Sequence, residues 1–286
     1  MRGQAPGILD DMPFKASKTL EGGIVGTVEL GRLDGRQCVR KTDTVQAIVG
    51  EKAFQETLKK LGLPHITIYE SGETQPNQMI MEFIDAPRLS RPNMSAENFA
   101  KLGNSIKPMR TSKSRSVVTV DENGALQNVL WSDFIDDISK TAYSSPLVLQ
   151  NDELRRAVDR AIHVINKNKP EEMVLTHGDA HMANVFITAE GAILFDNYWK
   201  HIYAPPEYEL TIFVAELFSS YRYGEQVRQG KKDAEFLEAL LASADIDLAD
   251  YPALDAYCLV RSLHRYPNGF VGHQDRIIEI LAERML

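Results

Sequence analysis

The run His177-Gly178-Asp179-Ala180-His181-Met182-Ala183-Asn184 is followed by Val185-Phe186-Ile187-Thr188, a polar break, and Ala192-Ile193-Leu194-Phe195-Asp196. These side chains, in this order, supply what a phosphoryl-transfer site requires. The segments 185–188 and 192–195 read as two short apolar strands joined through Ala189-Glu190-Gly191, a hairpin signal. In an antiparallel hairpin the start of the first strand lies beside the end of the second. Asn184 and Asp196 then become neighbours, roughly 5 Å apart at the backbone. An amide oxygen and a carboxylate so placed can share a hard cation such as Mg²⁺, which leaves Asp179 upstream to serve as base. Taken in isolation, His177, Asp179 and His181 are also compatible with a hydrogen-bonded loop or part of a metal site. Metal-assisted hydrolysis would need further ligands, and His65, His163, His201, His264 and His273 show no ligand-like spacing.

Such chemistry also needs a glycine turn over the phosphates, a strand lysine, and a helix glutamate to hold that lysine. Glu21-Gly22-Gly23-Ile24-Val25-Gly26-Thr27-Val28 offers Gly22, Gly23 and Gly26, whose backbone N–H groups can approach phosphate closely. The spacing is G-G-x-x-G, and alone it fits an ordinary hairpin turn equally well. After the Asp34-Gly35 turn, Gln37–Lys41 reads as a strand. Alternation sends Val39 and Lys41 to one face and Cys38 and Arg40 to the other, so only one of the two cations can meet the phosphates. Glu51 to Leu61 has helical spacing and stops before Gly62 and Pro64. At 3.6 residues per turn Glu51 falls on the Phe54/Leu58/Leu61 stripe, whereas Glu56 points toward solvent. A carboxylate on an apolar stripe wants a cation, which makes Glu51 the partner for the strand lysine. The competing account is a first-turn glutamate favoured by the helix dipole.

The stretch 177–184 matches H-G-D-x-H-x-x-N at every specified position, and the apolar strand ending in Asp196 follows at the expected distance. It resembles the signature of the aminoglycoside phosphotransferase and choline kinase group. The five-residue step from Asp179 to Asn184 is also that of the kinase catalytic loop H-R-D-x-x-x-x-N. The resemblance implies an α+β, bilobal, protein-kinase-like fold. A small N-terminal lobe of β-sheet plus helix (1–84) would lead through a hinge (85–92) to a larger, mainly helical lobe (93–286). It implies ATP and Mg²⁺, with Asp179 catalytic, Asn184 and Asp196 on the metal, and Lys41 rather than Arg40 on the phosphates, braced by Glu51. Family members commonly read aromatic-Val-Leu-Lys at that strand. Met79–Ile84 resembles the hinge between kinase lobes. Met81 would flank adenine, with the Glu82 carbonyl and the Ile84 N–H pairing with it, although composition alone gives an ordinary core strand.

Two positions depart from the family pattern. Asn197 stands where a bulky or aromatic residue is common, and Tyr208-Glu209-Leu210-Thr211 replaces Tyr-Asp-Leu-Ala. The longer glutamate could re-route a structural hydrogen bond. Lys200 and His201 could meet an anionic acceptor or face solvent. At Gly178, activation-loop protein kinases carry an arginine that pairs with a phosphorylated residue. Glycine cannot, and the span from Asp196 to Pro205-Pro206-Glu207 is short for a peptide-binding loop. A constitutive small-molecule kinase is therefore expected, one that phosphorylates a hydroxyl of an aminoglycoside, amino alcohol or sugar. The alternatives are a nucleotide-binding pseudokinase acting through protein contacts, or a nucleotidyl transferase on the same fold.

Composition agrees. The 286 residues, 43% of them hydrophobic, suffice for one large or two modest cores. A net charge of −8 argues against a nucleic-acid surface. The basic cluster Arg110-Thr111-Ser112-Lys113-Ser114-Arg115 reads as a solvated loop. No apolar run approaches the roughly 20 residues that span a bilayer, and nothing near Met1 has a signal-peptide shape. Cys38 and Cys258 lack metal or redox spacing, so reduced thiols in a cytoplasm are expected. Helical spacing recurs at 152–166, 206–220, 233–243, 253–265 and 275–285. The oligomeric state and the identity of the acceptor are not legible.

Overall fold

Asp34 and Gly35 both take positive φ, the conformation that closes a two-residue hairpin with the twist of its strands. That turn starts the first sheet. In a computed structural model describing residues 14–20, 26–69, 74–217, 230–265 and 274–286, β1 (Lys15–Leu20), β2 (Thr27–Leu33), β3 (Arg36–Thr42), β4 (Ile68–Tyr69) and β5 (Gln78–Glu82) form an antiparallel sheet. Its order is β1-β2-β3-β5-β4. Helix α1 (Val45–Lys60) is inserted after β3 and capped by the Thr44 hydroxyl, which accepts from the Ala47 N–H. The helix thus begins six residues before Glu51. Glu51 lies beyond the first turn, where the dipole acts, and the dipole account of that residue falls away.

Register places Val28, Lys41 and Met79 side by side, and Leu30, Val39 and Met81 beside them on the same face. The opposite face carries a small cluster of Leu33, Cys38 and Ile80, covered by Phe14 and Tyr69. Phe54 and Leu58 of α1 belong instead to the main core, which continues through the rest of the chain.

After β5 the backbone runs along the segment that begins at Val185. The Leu89 N–H donates to the Val185 carbonyl at 2.7 Å, and the Ile187 N–H to the Pro87 carbonyl at 2.9 Å. Helix α2 (Ala96–Met109) follows, then β6 (Lys113–Ser114), β7 (Val117–Val120) and β8 (Leu126–Val129). Next come α3 (Trp131–Tyr143), α4 (Pro146–Leu149), α5 (Asp152–Lys167) and β9 (Met173–Leu175), and then the hairpin β10 (Val185–Ile187) and β11 (Ala192–Leu194). β12 (Tyr203–Ala204) completes a second five-stranded sheet, ordered β6-β9-β12-β7-β8. Helix α6 (Pro206–Thr211) continues as a π-helical turn, Ile212–Leu217. Helices α7 (Gly230–Ala244), α8 (Leu254–Arg265) and α9 (Gln274–Met285) close the lobe. α2 lies so near α7 that a Cβ on Gly103 would sit 2.4 Å from the Leu240 carbonyl oxygen. Glycine is what permits that approach.

Arg110 departs from the solvated-loop expectation. Its guanidinium donates to the Ala244 and Asp245 carbonyls and to the Tyr251 hydroxyl, tying α2 to the end of α7. No helix among the described residues is long and apolar enough to cross a membrane.

Candidate active site

The hairpin register is Val185↔Leu194, Phe186↔Ile193 and Ile187↔Ala192. The Phe195 N–H reaches the Asn184 carbonyl at 3.1 Å, so Asn184 and Asp196 meet at the open end. Asp196 has φ +61, the left-handed region that few non-glycine residues occupy and aspartate tolerates better than most. Buried Asn184 uses its amide nitrogen on the Asp179 carbonyl at 3.0 Å and the Asp196 carbonyl at 3.4 Å. With Nδ2 committed to the backbone, Oδ1 is the atom available to a cation.

The loop ahead of the hairpin is held from within. His177 is fully buried, its Nε2 is 2.7 Å from the Phe195 carbonyl, and its Nδ1 accepts the Asp179 N–H at 3.2 Å. This network assigns the proton to Nε2. Burial, against the pull of the Asp179 carboxylate, lowers its pKa to about 4, so the ring is neutral at pH 7. Gly178 has φ +72, and a Cβ there would stand 3.0 Å from Tyr198 Cβ. Its N–H donates to Glu209 Oε2 at 2.7 Å, and Arg261 Nη2 donates to its carbonyl. Burial pushes Glu209 up to about 7, against the Gly178 N–H and Arg261. Glu209 thus bonds the 177–184 loop directly. The Asp179 side chain is part-exposed, with Oδ2 3.7 Å from His181 Nε2.

Lys41 joins the two halves of the site. Its ammonium is 2.5 Å from Asp196 Oδ1 and 3.7 Å from Glu51 Oε2. Burial alone would lower the Lys41 pKa, but Glu51 and then Asp196 outweigh it and the shift is upward. Burial likewise acts upward on Asp196, yet Lys41 holds that carboxylate below its ordinary range. Glu51 is sealed from water, and burial raises it against Lys41. Arg40, on the other face, pairs with Glu29 at 2.7 Å and lies over the Phe14 ring. Glu56 is exposed. Lys41 and Glu51 therefore come together, and Arg40 and Glu56 stay apart from them.

Sequence reasoning missed Gln55. It is buried, donates to Glu51 Oε1 at 3.0 Å and to the Leu194 carbonyl at 2.8 Å, and accepts the Ile66 N–H at 2.8 Å. The available signal was its place four residues after Glu51, on the same helix face. Gly26 has φ +81, and a Cβ there would lie 2.5 Å from the Thr42 carbonyl. Gly22 and Gly23 lie outside the described residues. Met81, Glu82 and Ile84 are half-buried where β5 ends, and the Glu82 N–H is used on the Thr67 carbonyl at 2.8 Å.

Among the described residues no group of three His, Cys, Asp or Glu side chains could hold a metal ion. Asn184 Oδ1 and the Asp196 carboxylate instead form a sparse, all-oxygen donor pair. That pair suits Mg²⁺, which takes one or two protein ligands and fills its remaining positions with phosphate and water. Two carboxylates against one ammonium also leave the cluster net negative on its Asp196 side.

No protein-family model matches the chain, and no curated protein matches its sequence. Solved structures do. A putative fructosamine-3-kinase from Haemophilus somnus superposes with a TM-score of 0.64 at 14% identity, covering 96% of this chain and 92% of that one. A thermostable aminoglycoside phosphotransferase APH(4)-Ia mutant, in a ternary complex with AMP-PNP and hygromycin B, gives 0.62 at 15% identity over 96% and 92%. Spectinomycin phosphotransferase APH(9)-Ia, bound to ADP and spectinomycin, gives 0.58 at 15% identity over 93% and 88%. The fold is thus the bilobal, protein-kinase-like fold of these phosphotransferases.

Proposed function

We propose that this chain is an ATP-dependent small-molecule kinase of the aminoglycoside phosphotransferase type, transferring the γ-phosphoryl group to a hydroxyl. The observation that carries the reading is Lys41, held between Glu51 and Asp196 while Asn184 bonds both the Asp179 and Asp196 carbonyls. One hydrogen-bonded unit thereby contains a phosphate-binding cation, two oxygen donors and a base. Solved structures of the same fold hold ADP or AMP-PNP, which supports nucleotide binding here.

In this reading Lys41 binds the α/β-phosphates and Glu51 orients it. Asn184 and Asp196 would hold Mg²⁺, which when bound neutralises charge on the phosphates. Val39 and Met81, on the Lys41 face, wall the adenine side, with the backbone of Glu82 and Ile84 at its edge. Gly26, with its positive φ, would lie against the phosphates. Asp179 accepts the acceptor hydroxyl's proton. Positioning and electrostatics account for most of such catalysis.

The test is ATP-dependent product formation across a metabolite and aminoglycoside panel, read by mass, with Asp179→Asn alongside. Gain of one phosphate is expected, and transfer should fall at least roughly a hundredfold in the variant, with ATP affinity within a few-fold. Gain of AMP would mean a nucleotidyl transferase, and binding without turnover a pseudokinase. Full activity of Asp179→Asn on a confirmed acceptor would overturn the mechanism.

A further inference from the structure

Gln55 reaches from α1 to the strand that leads into Asp196. Its amide nitrogen donates to Glu51 Oε1 at 3.0 Å and to the Leu194 carbonyl at 2.8 Å, while its oxygen accepts the Ile66 N–H at 2.8 Å. Leu194 ends β11, two residues before Asp196. We propose that Gln55 is a positioning residue for phosphoryl transfer: it sets Glu51, and through it the Lys41 ammonium, at a fixed place relative to Asp196. The proposal rests on the kinase reading and deepens it.

Glutamine suits this demand. Two acceptors and one donor surround the side chain, and a primary amide offers two N–H bonds and a carbonyl oxygen. Glutamate has no N–H, lysine has no acceptor, and asparagine is one methylene shorter. Turning the amide over would set its N–H against the Ile66 N–H, so one orientation is specified. At 2% exposure, bulk water does not replace these bonds.

The consequence falls on Glu51. Gln55 holds its Oε1, and Oε2 faces Lys41 at 3.7 Å without a hydrogen bond of its own. The Asp196 backbone amide supports the same carboxylate. Hydrogen bonds are more directional than an ion pair at that distance, so Gln55 and Asp196 fix how the carboxylate is turned. Helix α1 has further anchors. Phe54 meets the His177 ring edge-on at 5.3 Å, and a Cβ on Gly124, in the β7–β8 turn, would stand 2.9 Å from Val45 Cγ1. Losing the Gln55 amide therefore leaves α1 docked and releases the Glu51 carboxylate. In regulated kinases the lysine–glutamate pair is made or broken by movement of its helix. Here the tie to Leu194 is built into the chain.

The test compares the parent with Gln55→Met, Glu51→Gln, the double variant, and Leu58→Ala. The last is a buried truncation on the same helix that should also cost stability. Gln55→Asn, which keeps the amide but falls short of its partners, serves if the methionine variant does not fold. Circular dichroism confirms each fold, and kinetics are run well below each unfolding midpoint. Phosphate release from ATP with Mg²⁺, water being the acceptor, is followed beside transfer to any acceptor the panel yields. Gln55→Met should lower kcat about tenfold, with KM for ATP within about threefold of the parent. Leu58→Ala should keep the parent kcat. In the Glu51→Gln background, Gln55→Met should add less than about twofold, because both act on one ammonium. Acetylation of Lys41 by acetic anhydride, read by peptide mass, should quicken in Gln55→Met and not in Leu58→Ala. Unchanged kcat, an equal loss in Leu58→Ala, effects that multiply in the double variant, or an unchanged Lys41 rate would each overturn the proposal. A parent that neither binds ATP with Mg²⁺ nor transfers phosphate would overturn the kinase reading instead. The Lys41 rate would then still decide whether Gln55 places that ammonium.

Discussion

Gln55 offers the sharpest energetic test of how the site is held. It is 2% exposed and commits its whole side-chain amide to three groups: Glu51 Oε1, the Leu194 carbonyl and the Ile66 N–H. Replacing it by methionine keeps the length and bulk of the side chain and removes both polar atoms. The Ile66 N–H and the Leu194 carbonyl would then lie in the interior without this partner, and Glu51 would lose the Gln55 donor to its Oε1. Each buried group so stranded costs roughly 1–3 kcal/mol, and the low end for all three gives about 3 kcal/mol. That is a large share of the roughly 5–15 kcal/mol by which a folded protein is stable. Urea unfolding should therefore show a midpoint lowered by about 3 kcal/mol divided by m, at unchanged m. Gln127→Met, at an exposed strand position, should stay within about 0.5 kcal/mol of the parent. A loss below about 1 kcal/mol in Gln55→Met would mean that the three groups find other partners. The strut would then be incidental.

Three further outcomes are expected. Glu51→Gln should impair turnover far more than Glu56→Gln, because only Glu51 reaches Lys41; the reverse order in steady-state kinetics would break that assignment. Calorimetry should show ATP affinity that depends on Mg²⁺ in the parent and loses that dependence in Asp196→Asn, whereas equal affinity with Mg²⁺ and with EDTA in both would remove Asn184 and Asp196 from the metal. His201 has its folded pKa depressed to about 3 from an ordinary 6.5, so its stabilising effect is full above about pH 6.5 and lost as pH falls toward 3. The unfolding free energy of the parent minus that of His201→Gln should rise with pH between 4 and 6.5, by at most about 1.4 kcal/mol per unit, and a flat difference would refute the buried neutral ring.

What was legible in the sequence was what short-range geometry dictates. The hairpin that brings Asn184 to Asp196 spans a dozen residues, and strand alternation alone separates Lys41 from Arg40. Helical phase alone separates Glu51 from Glu56. The start of α1 was read too late: Val45, Ile48 and Val49 already stand at helical spacing, and the Thr44 cap fixes the boundary. Arg110 was misread because its partners, the Ala244 and Asp245 carbonyls, lie 134 and 135 residues away. Gln55 was missed for the same reason, its Leu194 partner being 139 residues distant. No local pattern encodes such a bond. Glu209 was noticed only as a departure, and its bond to the Gly178 N–H depends on a buried environment that composition does not reveal.

The hairpin is gripped from two directions, and the division follows the chemistry. From the first lobe, Lys41 pairs with Asp196 and Gln55 holds the Leu194 carbonyl, two residues earlier. Displacing α1 would therefore disturb the lysine, its glutamate and the strand that ends in Asp196 together. From the helical lobe, Glu209 and Arg261 take the N–H and the carbonyl of Gly178, which fixes the peptide units on both sides of that residue and hence the backbone entering Asp179. His177 bridges the two grips, since its ring meets the Phe195 carbonyl on one side and the Asp179 N–H on the other. Its neutrality is what lets it do both. A protonated ring would have no acceptor left for the Asp179 N–H, and burial makes that protonation unfavourable until about pH 4. In the proposed kinase reading the phosphate end and the base end would thus be set by different lobes and joined by one uncharged imidazole. Perturbing Gln55 should act through the lysine, and perturbing Glu209 through the base.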